Sequence, residues 1–318
     1  MIGAWALNTV QQADALDLLH GLPAGSVDCC ITSPPYYGLR DYGVDGQIGL
    51  EDTPQAYVKR LADLFREVKR VLKDTGTCWI NLGDSYISKV KGTGGPSEKQ
   101  STNAGSRYEP ILLNTGLPDK SLMGIPWRVA FALQDDGWIL RSDIIWHKPN
   151  PMPESVTDRP TKSHEYVFLF AKEPRYYYDA DAIAEPVTSS GGNFSTVYAS
   201  QQIGHGGVST RKAYDKRNKR SVWTIPTKPN PEAHFATFPP DLITPMILAG
   251  CPVGGVVLDP FMGSGTTALT ARQHGRNFIG CDLNPEYVAI ARRRLNRPHA
   301  INFMPWLEQL DAVQEITA

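Results

Sequence analysis

The chain has 318 residues, 41% of them hydrophobic, and a formal net charge of −1. That length suits one large domain, or one domain with a sizeable insertion, and that apolar content excludes a disordered or fibrous protein. No stretch approaches about 18 consecutive apolar residues, and no charged region followed by an apolar core opens the chain. Neither a membrane span nor a secretory signal is therefore expected, and the cytoplasm is the expected compartment. The balanced charge argues neither for nor against nucleic acid, because a binding face needs local rather than global positive charge.

In chain order, a short strand is expected at 6–10 and an apolar, β-branched strand at 27–32. A helix follows at 54–72, where Tyr57, Val58, Leu61, Leu64, Phe65, Val68 and Leu72 recur at spacings of three and four. A strand at 77–82, a helix at 125–134 and strands at 143–147 and 166–170 come next. The C-terminal part reads as a strand at 256–258, a helix at 266–274, a strand at 277–281 and a helix at 285–295. Strands alternating with helical patterns predict an α/β, doubly wound, mostly parallel sheet.

Two segments break this rhythm. Residues 89–117 are rich in Gly, Ser, Thr and Asn and read as a long mobile loop. Residues 188–231 are similarly polar but hold Arg211, Lys212, Lys216, Arg217, Lys219, Arg220 and, just before their end, Lys228 against the single acid Asp215. Taken alone, such a basic run reads as a solvated surface loop. The five cysteines, Cys29, Cys30, Cys78, Cys251 and Cys281, form no C-x-x-C pair, and four lie in apolar runs. No metal centre is expected.

The strand at 256–258 runs into Asp259-Pro260-Phe261-Met262-Gly263-Ser264-Gly265-Thr266-Thr267 and then a helix, so the glycines fall on a strand-to-helix turn. Such turns hold nucleotide-like ligands, because glycine lets the backbone approach closely and the helix start presents free amides. No Lys precedes Thr266, which excludes a Walker A loop, and the third glycine of the dinucleotide fingerprint is missing. The next strand ends in Gly280-Cys281-Asp282, about 20 residues on, where a carboxylate can take ribose hydroxyls. This pair of motifs resembles the S-adenosylmethionine site of the amino-group DNA methyltransferases. The resemblance places Phe261, Gly263 and Gly265 along the methionine and sugar, Asp259 near the methionine ammonium and Asp282 on the ribose. It also brings in Pro260 and Phe238, and Asp14 of Ala13-Asp14-Ala15-Leu16 near the adenine, although Ala13 stands where the family has Gly; Thr266 is a further candidate, because its hydroxyl and amide sit at the helix start.

Ahead of these lies Ser33-Pro34-Pro35-Tyr36, at the end of the 27–32 strand. An exocyclic base amine is a poor nucleophile, since its lone pair is delocalised into the ring. Acceptors on its N–H groups favour the localised form, and Ser33 Oγ and the Pro34 carbonyl are suited to that task. Proline fixes the direction of the turn and donates no competing N–H. Tyr36 offers a stacking face for an extruded base. The tetrapeptide, with Gly124-Ile125-Pro126-Trp127, the 145–153 block containing Lys148 and Asn150, and Thr237-Phe238-Pro239, extends the resemblance over nearly the whole chain.

Catalytic motif first and cofactor motif last is the β arrangement of that family. It implies a catalytic part at 1–187, target recognition at 188–231 and a cofactor-binding part at 232–318. It also implies that Lys148, Asn150, Arg211, Lys212, Lys216, Arg217, Lys219 and Arg220 contact double-stranded DNA. Ser at the first tetrapeptide position favours cytosine N4 over adenine N6. A homodimer and a separate restriction endonuclease are further expectations from the resemblance. The rival readings are methylation of RNA or of a protein side-chain amide, and a catalytically inactive DNA-binding protein. His164 and Glu165 are read as structural, because adjacent residues on a strand diverge.

Overall fold

The computed structural model describes residues 1–87, 115–187, 215–228 and 238–297. Ten strands and six helices are described: β1 (Thr9–Gln12), α1 (Ala15–His20), β2 (Val27–Thr32), α2 (Pro54–Val71), β3 (Leu72–Leu82), α3 (Ile125–Asp135), β4 (Ile139–His147), β5 (His164–Ala171), β6 (Glu185–Pro186), β7 (Lys216–Arg217), β8 (Val222–Thr224), α4 (Pro240–Gly250), β9 (Val256–Asp259), α5 (Thr266–Gln273), β10 (Asn277–Asp282) and α6 (Pro285–Leu295). Eight strands form one sheet in the order β1-β10-β9-β2-β3-β5-β4-β8, and β6 pairs with β7 apart from it. Every pairing in the large sheet is parallel except those of β5 with β3 and β4.

The strands read as unbroken apolar runs because both faces of the sheet are covered. Cys30, Cys78, Ile80, Phe168 and Phe170 join the core beneath α1, α2 and α3. Their neighbours Cys29, Ile31, Trp79, Val167 and Leu169 join the opposite core beneath α4, α5 and α6. This is the alternation that a period of two demands. Helix α2 follows its spacing closely: Tyr57, Leu61, Leu64, Phe65 and Val68 are buried, and Thr53 Oγ accepts from the Ala56 amide at 3.1 Å as the cap.

Two helices are not legible in the sequence pattern. With six residues, α1 is too short to display a helical period, and Asp14 caps it by accepting from the Leu16 amide at 2.8 Å. Helix α4 contains Pro245 and is buried around most of its circumference, so it shows a breaker and no polar face. The expected recognition segment is not separate throughout. Its residues 222–224 are β8, the edge strand beside β4, and Trp223 is buried in the sheet's core. The loop expected at 89–117 lies outside the described residues except for 115–117.

Candidate active site

The parallel strands point their carboxyl ends to one edge, where ligands of open α/β sheets collect. A cavity of about 710 Å³ lies there, a size suited to a ligand of S-adenosylmethionine's dimensions. Ser33, Pro34, Pro35 and Tyr36, leaving β2, line it together with Asp14, Phe238, Pro260, Phe261, Gly263, Thr266 and Asp282. Residues 227 positions apart are joined there, because β2 and β9 are neighbours and Thr32 Oγ donates to Asp259 at 2.6 Å.

On the cofactor side, Asp282 Oδ2 accepts from the Gly263 amide and Oδ1 from the Asn284 amide, each at 2.9 Å. Each oxygen keeps a second lone pair for a hydroxyl. Burial raises this carboxyl above its ordinary range. Gly263 has φ +52°, a conformation that favours glycine. A glycine turn, a carboxylate with lone pairs to spare and the aromatic walls of Phe238 and Phe261 fit an adenosyl cofactor.

Two expected cofactor residues are placed differently. The Asp259 side chain is fully buried and accepts from Thr32, from Thr267 Oγ at 2.7 Å and from the Phe261 amide at 3.0 Å. It therefore shapes the turn from behind instead of reaching toward an ammonium. Burial raises it to about 6. Gly265 is not in the cavity wall: at φ +82° it lies against α6, where an added Cβ would come within 2.8 Å of Ala291 Cβ. It brings the start of α5 close to α6.

On the catalytic side, Tyr57 of α2 donates to the Pro35 carbonyl at 2.8 Å, which pins the Pro-Pro turn to the helix. The Tyr36 ring passes over Gly83, where a Cβ would approach to 2.5 Å. The Tyr36 hydroxyl donates to Glu165 Oε2 at 2.7 Å, and burial followed by that carboxylate holds it well above the ordinary phenol range. Asn81 Nδ2 donates to the same oxygen and to the Tyr166 carbonyl, both at 3.1 Å. Lys148 pairs with Glu165 Oε1, its ammonium 4.3 Å from the Trp146 ring centre.

Glu165 and Asn81 thus belong to the cavity, and the sequence pattern assigns neither to it. The reading of Glu165 as structural follows from strand alternation alone. That reasoning leaves out that β5 runs opposite to its neighbours, so that its first residues sit where the other strands end. The visible signal is a charged residue opening an apolar run.

Asn150 lines the cavity, yet both ends of its amide are taken by Thr227, with the Thr227 amide at 2.9 Å and its carbonyl at 3.1 Å. Lys216 and Arg217 form β7. Arg217, Lys219 and Arg220 converge on the single carboxylate of Glu185, with nearest approaches of 3.5, 3.8 and 3.1 Å. Arg211 and Lys212 lie outside the described residues. All five cysteines are buried and none forms a disulfide.

A doubly wound sheet with a cofactor turn and Ser-Pro-Pro-Tyr facing one cavity defines a Rossmann-like, S-adenosylmethionine-dependent methyltransferase. The chain belongs to the DNA methylase family, whose model matches residues 27–293. It is 50% identical over 287 residues to the type II methyltransferase M.Cfr9I of Citrobacter freundii, a match covering 90% of this chain and 87% of that one. The M.XycI enzyme of Xanthomonas campestris pv. cyanopsidis is 49% identical over 288 residues, covering 91% and 87%. The PvuII cytosine-N4-specific DNA methyltransferase shares the fold with a TM-score of 0.63 at 20% identity, over 91% of this chain and 88% of that one. A Thermus thermophilus protein solved in complex with S-adenosyl-L-methionine shares the fold with a TM-score of 0.59 at 22% identity, over 93% of this chain and 95% of that one. The protein is accordingly an S-adenosylmethionine-dependent DNA methyltransferase. No helix among the described residues is long and apolar enough to cross a membrane.

Proposed function

We propose that the enzyme methylates N4 of a cytosine extruded from a specific duplex DNA sequence, with Ser33-Pro34-Pro35-Tyr36 as the base site. The observation that carries this reading is the single cavity shared by that tetrapeptide and the 259–267 turn. The cofactor supplies an electrophilic sulfonium methyl. Ser33 Oγ and the Pro34 carbonyl accept from the amine, localising its lone pair, while the Tyr36 ring stacks on the base. The neutral Ser33 favours cytosine N4 over adenine N6.

The described basic residues Lys216, Arg217, Lys219 and Arg220 neutralise phosphates, and 188–231 carries target recognition between catalytic (1–187) and cofactor-binding (232–318) parts. The type II naming of the relatives fits an enzyme acting in the cytoplasm beside a separate endonuclease, and the β arrangement suits a homodimer.

Nucleoside mass spectrometry of duplex DNA methylated by the purified enzyme tests the target. N4-methylcytosine is expected, and N6-methyladenine in its place overturns the base assignment. Ser33→Ala and Tyr36→Ala are expected to lose at least about 100-fold in methyl transfer, the scale of a positioned proton-transfer group. Both are expected to keep cofactor affinity. Native rates in both variants overturn the site.

A further inference from the structure

We propose that Glu165 is the terminal proton acceptor of the methyl-transfer step, reached through a relay of two hydroxyls from Ser33 to Tyr36 to Glu165. The inference rests on Ser33 as the residue that receives the base amine. Glu165 acts through Tyr36, so it is a positioning residue.

The geometry supplies the direction. Tyr36 has one proton, and the 2.7 Å contact to a carboxylate oxygen is the shortest of its contacts, as a charge-assisted bond should be. The Asn81 carbonyl oxygen lies farther away at 3.1 Å. With its proton spent on Glu165, Tyr36 Oη is left as an acceptor, and Ser33 Oγ stands 3.4 Å from it. The alternative acceptor for Ser33 is Asn81 Oδ1 at 3.5 Å. Both distances are long for hydroxyl hydrogen bonds, so Ser33 is held in place yet only slackly engaged. A base N–H arriving at Ser33 Oγ favours shortening of the contact to Tyr36.

Asn81 cannot take the place of Glu165, since an amide oxygen is a far weaker base than a carboxylate and both Asn81 N–H groups are already committed. Lys148 occupies Oε1, which leaves Oε2 for the relay. Burial and the neighbouring carboxylate keep Tyr36 protonated, so the tyrosine passes a proton and does not store one.

The step balances. The base nitrogen forms the new N–C bond with its lone pair while the S–C bond breaks and its electrons remain on sulfur, which departs as a neutral thioether. The nitrogen, now positively charged, gives one proton to Ser33 Oγ. The Ser33 proton moves to Tyr36 Oη, and the Tyr36 proton moves to Glu165. Both hydroxyls are restored, Glu165 is neutral, and solvent later removes its proton. A carboxylate on another strand thus supplies the basicity that the Ser33 side chain lacks.

The test is single-turnover methyl transfer at saturating DNA and cofactor by Glu165→Gln, Tyr36→Phe, Ser33→Ala and the Tyr36→Phe/Glu165→Gln double variant. Glu165→Gln keeps the size and an acceptor oxygen but removes the base. The rate is expected to fall about 100-fold, with cofactor affinity and KM for DNA within about twofold of native. Groups acting as a unit are non-additive, so the double variant is expected to be no slower than the worse single one.

Should Glu165→Gln fold poorly with Lys148 left unpaired, Lys148→Met/Glu165→Gln removes both charges and is expected to show the same rate loss. A Glu165→Gln rate within threefold of native, or multiplicative losses in the double variant, overturns the relay while leaving the site intact if Ser33→Ala is slow. A native rate in Ser33→Ala overturns the site itself.

Discussion

The sharpest stability prediction concerns Asp259, a carboxylate with no exposed surface at the hinge of the cofactor turn. Burial raises it from an ordinary value of 3.8 to about 6, against the opposing pull of three hydrogen bonds. Between those two values the folded chain holds a proton that the unfolded chain has released, so stability falls as pH rises across that window. A difference of this size is a penalty of about 3 kcal/mol, present in full above pH 6 and absent below about pH 4. Asp259→Asn removes the titration while keeping an acceptor for the Phe261 amide, and hydroxyls such as Thr32 and Thr267 can rotate to meet the new N–H. Urea unfolding of both proteins from pH 4 to pH 7.5 is the assay. The difference in unfolding free energy is expected to shift by about 3 kcal/mol toward the variant as pH rises. Parallel pH curves for the two proteins would refute the reasoning. The variant is also expected to bind cofactor more weakly, because the ionised acceptor orients the turn.

Gly265→Ala combines a left-handed backbone with a Cβ pressed 2.8 Å from Ala291. About 1–2 kcal/mol of backbone strain and about 1–3 kcal/mol of overpacking are expected in unfolding experiments, and saturating cofactor is expected to recover part of the loss. Glu185→Gln frees the guanidinium groups of Arg217 and Arg220 and the Lys219 ammonium from their shared carboxylate. DNA affinity is expected to rise at low salt and the salt dependence to steepen by about one phosphate's worth. Filter binding across a salt series checks this, and an unchanged slope would remove these cations from the DNA face.

The parts of the fold legible in the sequence are those where burial on two faces writes a continuous apolar run. Strand β2 has the expected limits 27–32 because all six of its residues are buried. The two cofactor motifs are legible for a related reason: a glycine turn after a strand and an acid ending the next strand must meet when the strands are adjacent. Strand β8 is hidden by its length of three residues and by Val222 and Thr224, which are exposed and leave only Trp223 to mark a core. Asp259 is legible as important but not in its role, since a motif does not reveal on which side of the turn its carboxylate lies. Glu165 requires strand direction, and direction is a property of the assembled sheet.

One stretch of the 188–231 segment, β8, is built into the large sheet, while β7 with Lys216 and Arg217 pairs with β6 apart from it. Trp223 sits opposite Trp146 in the β4–β8 register. The Ile225 amide donates to the His147 carbonyl at 3.0 Å, and Trp146 Nε1 donates to the Ile225 carbonyl at 2.8 Å. Asn150 closes the connection through both backbone groups of Thr227. These bonds flank Lys148, the partner of Glu165. Arg220 lies two residues before β8, and β8 pairs with the strand that leads into Lys148. On the proposed function, a phosphate held at Arg220 would be referenced through β8 and β4 to Lys148 and its partner Glu165.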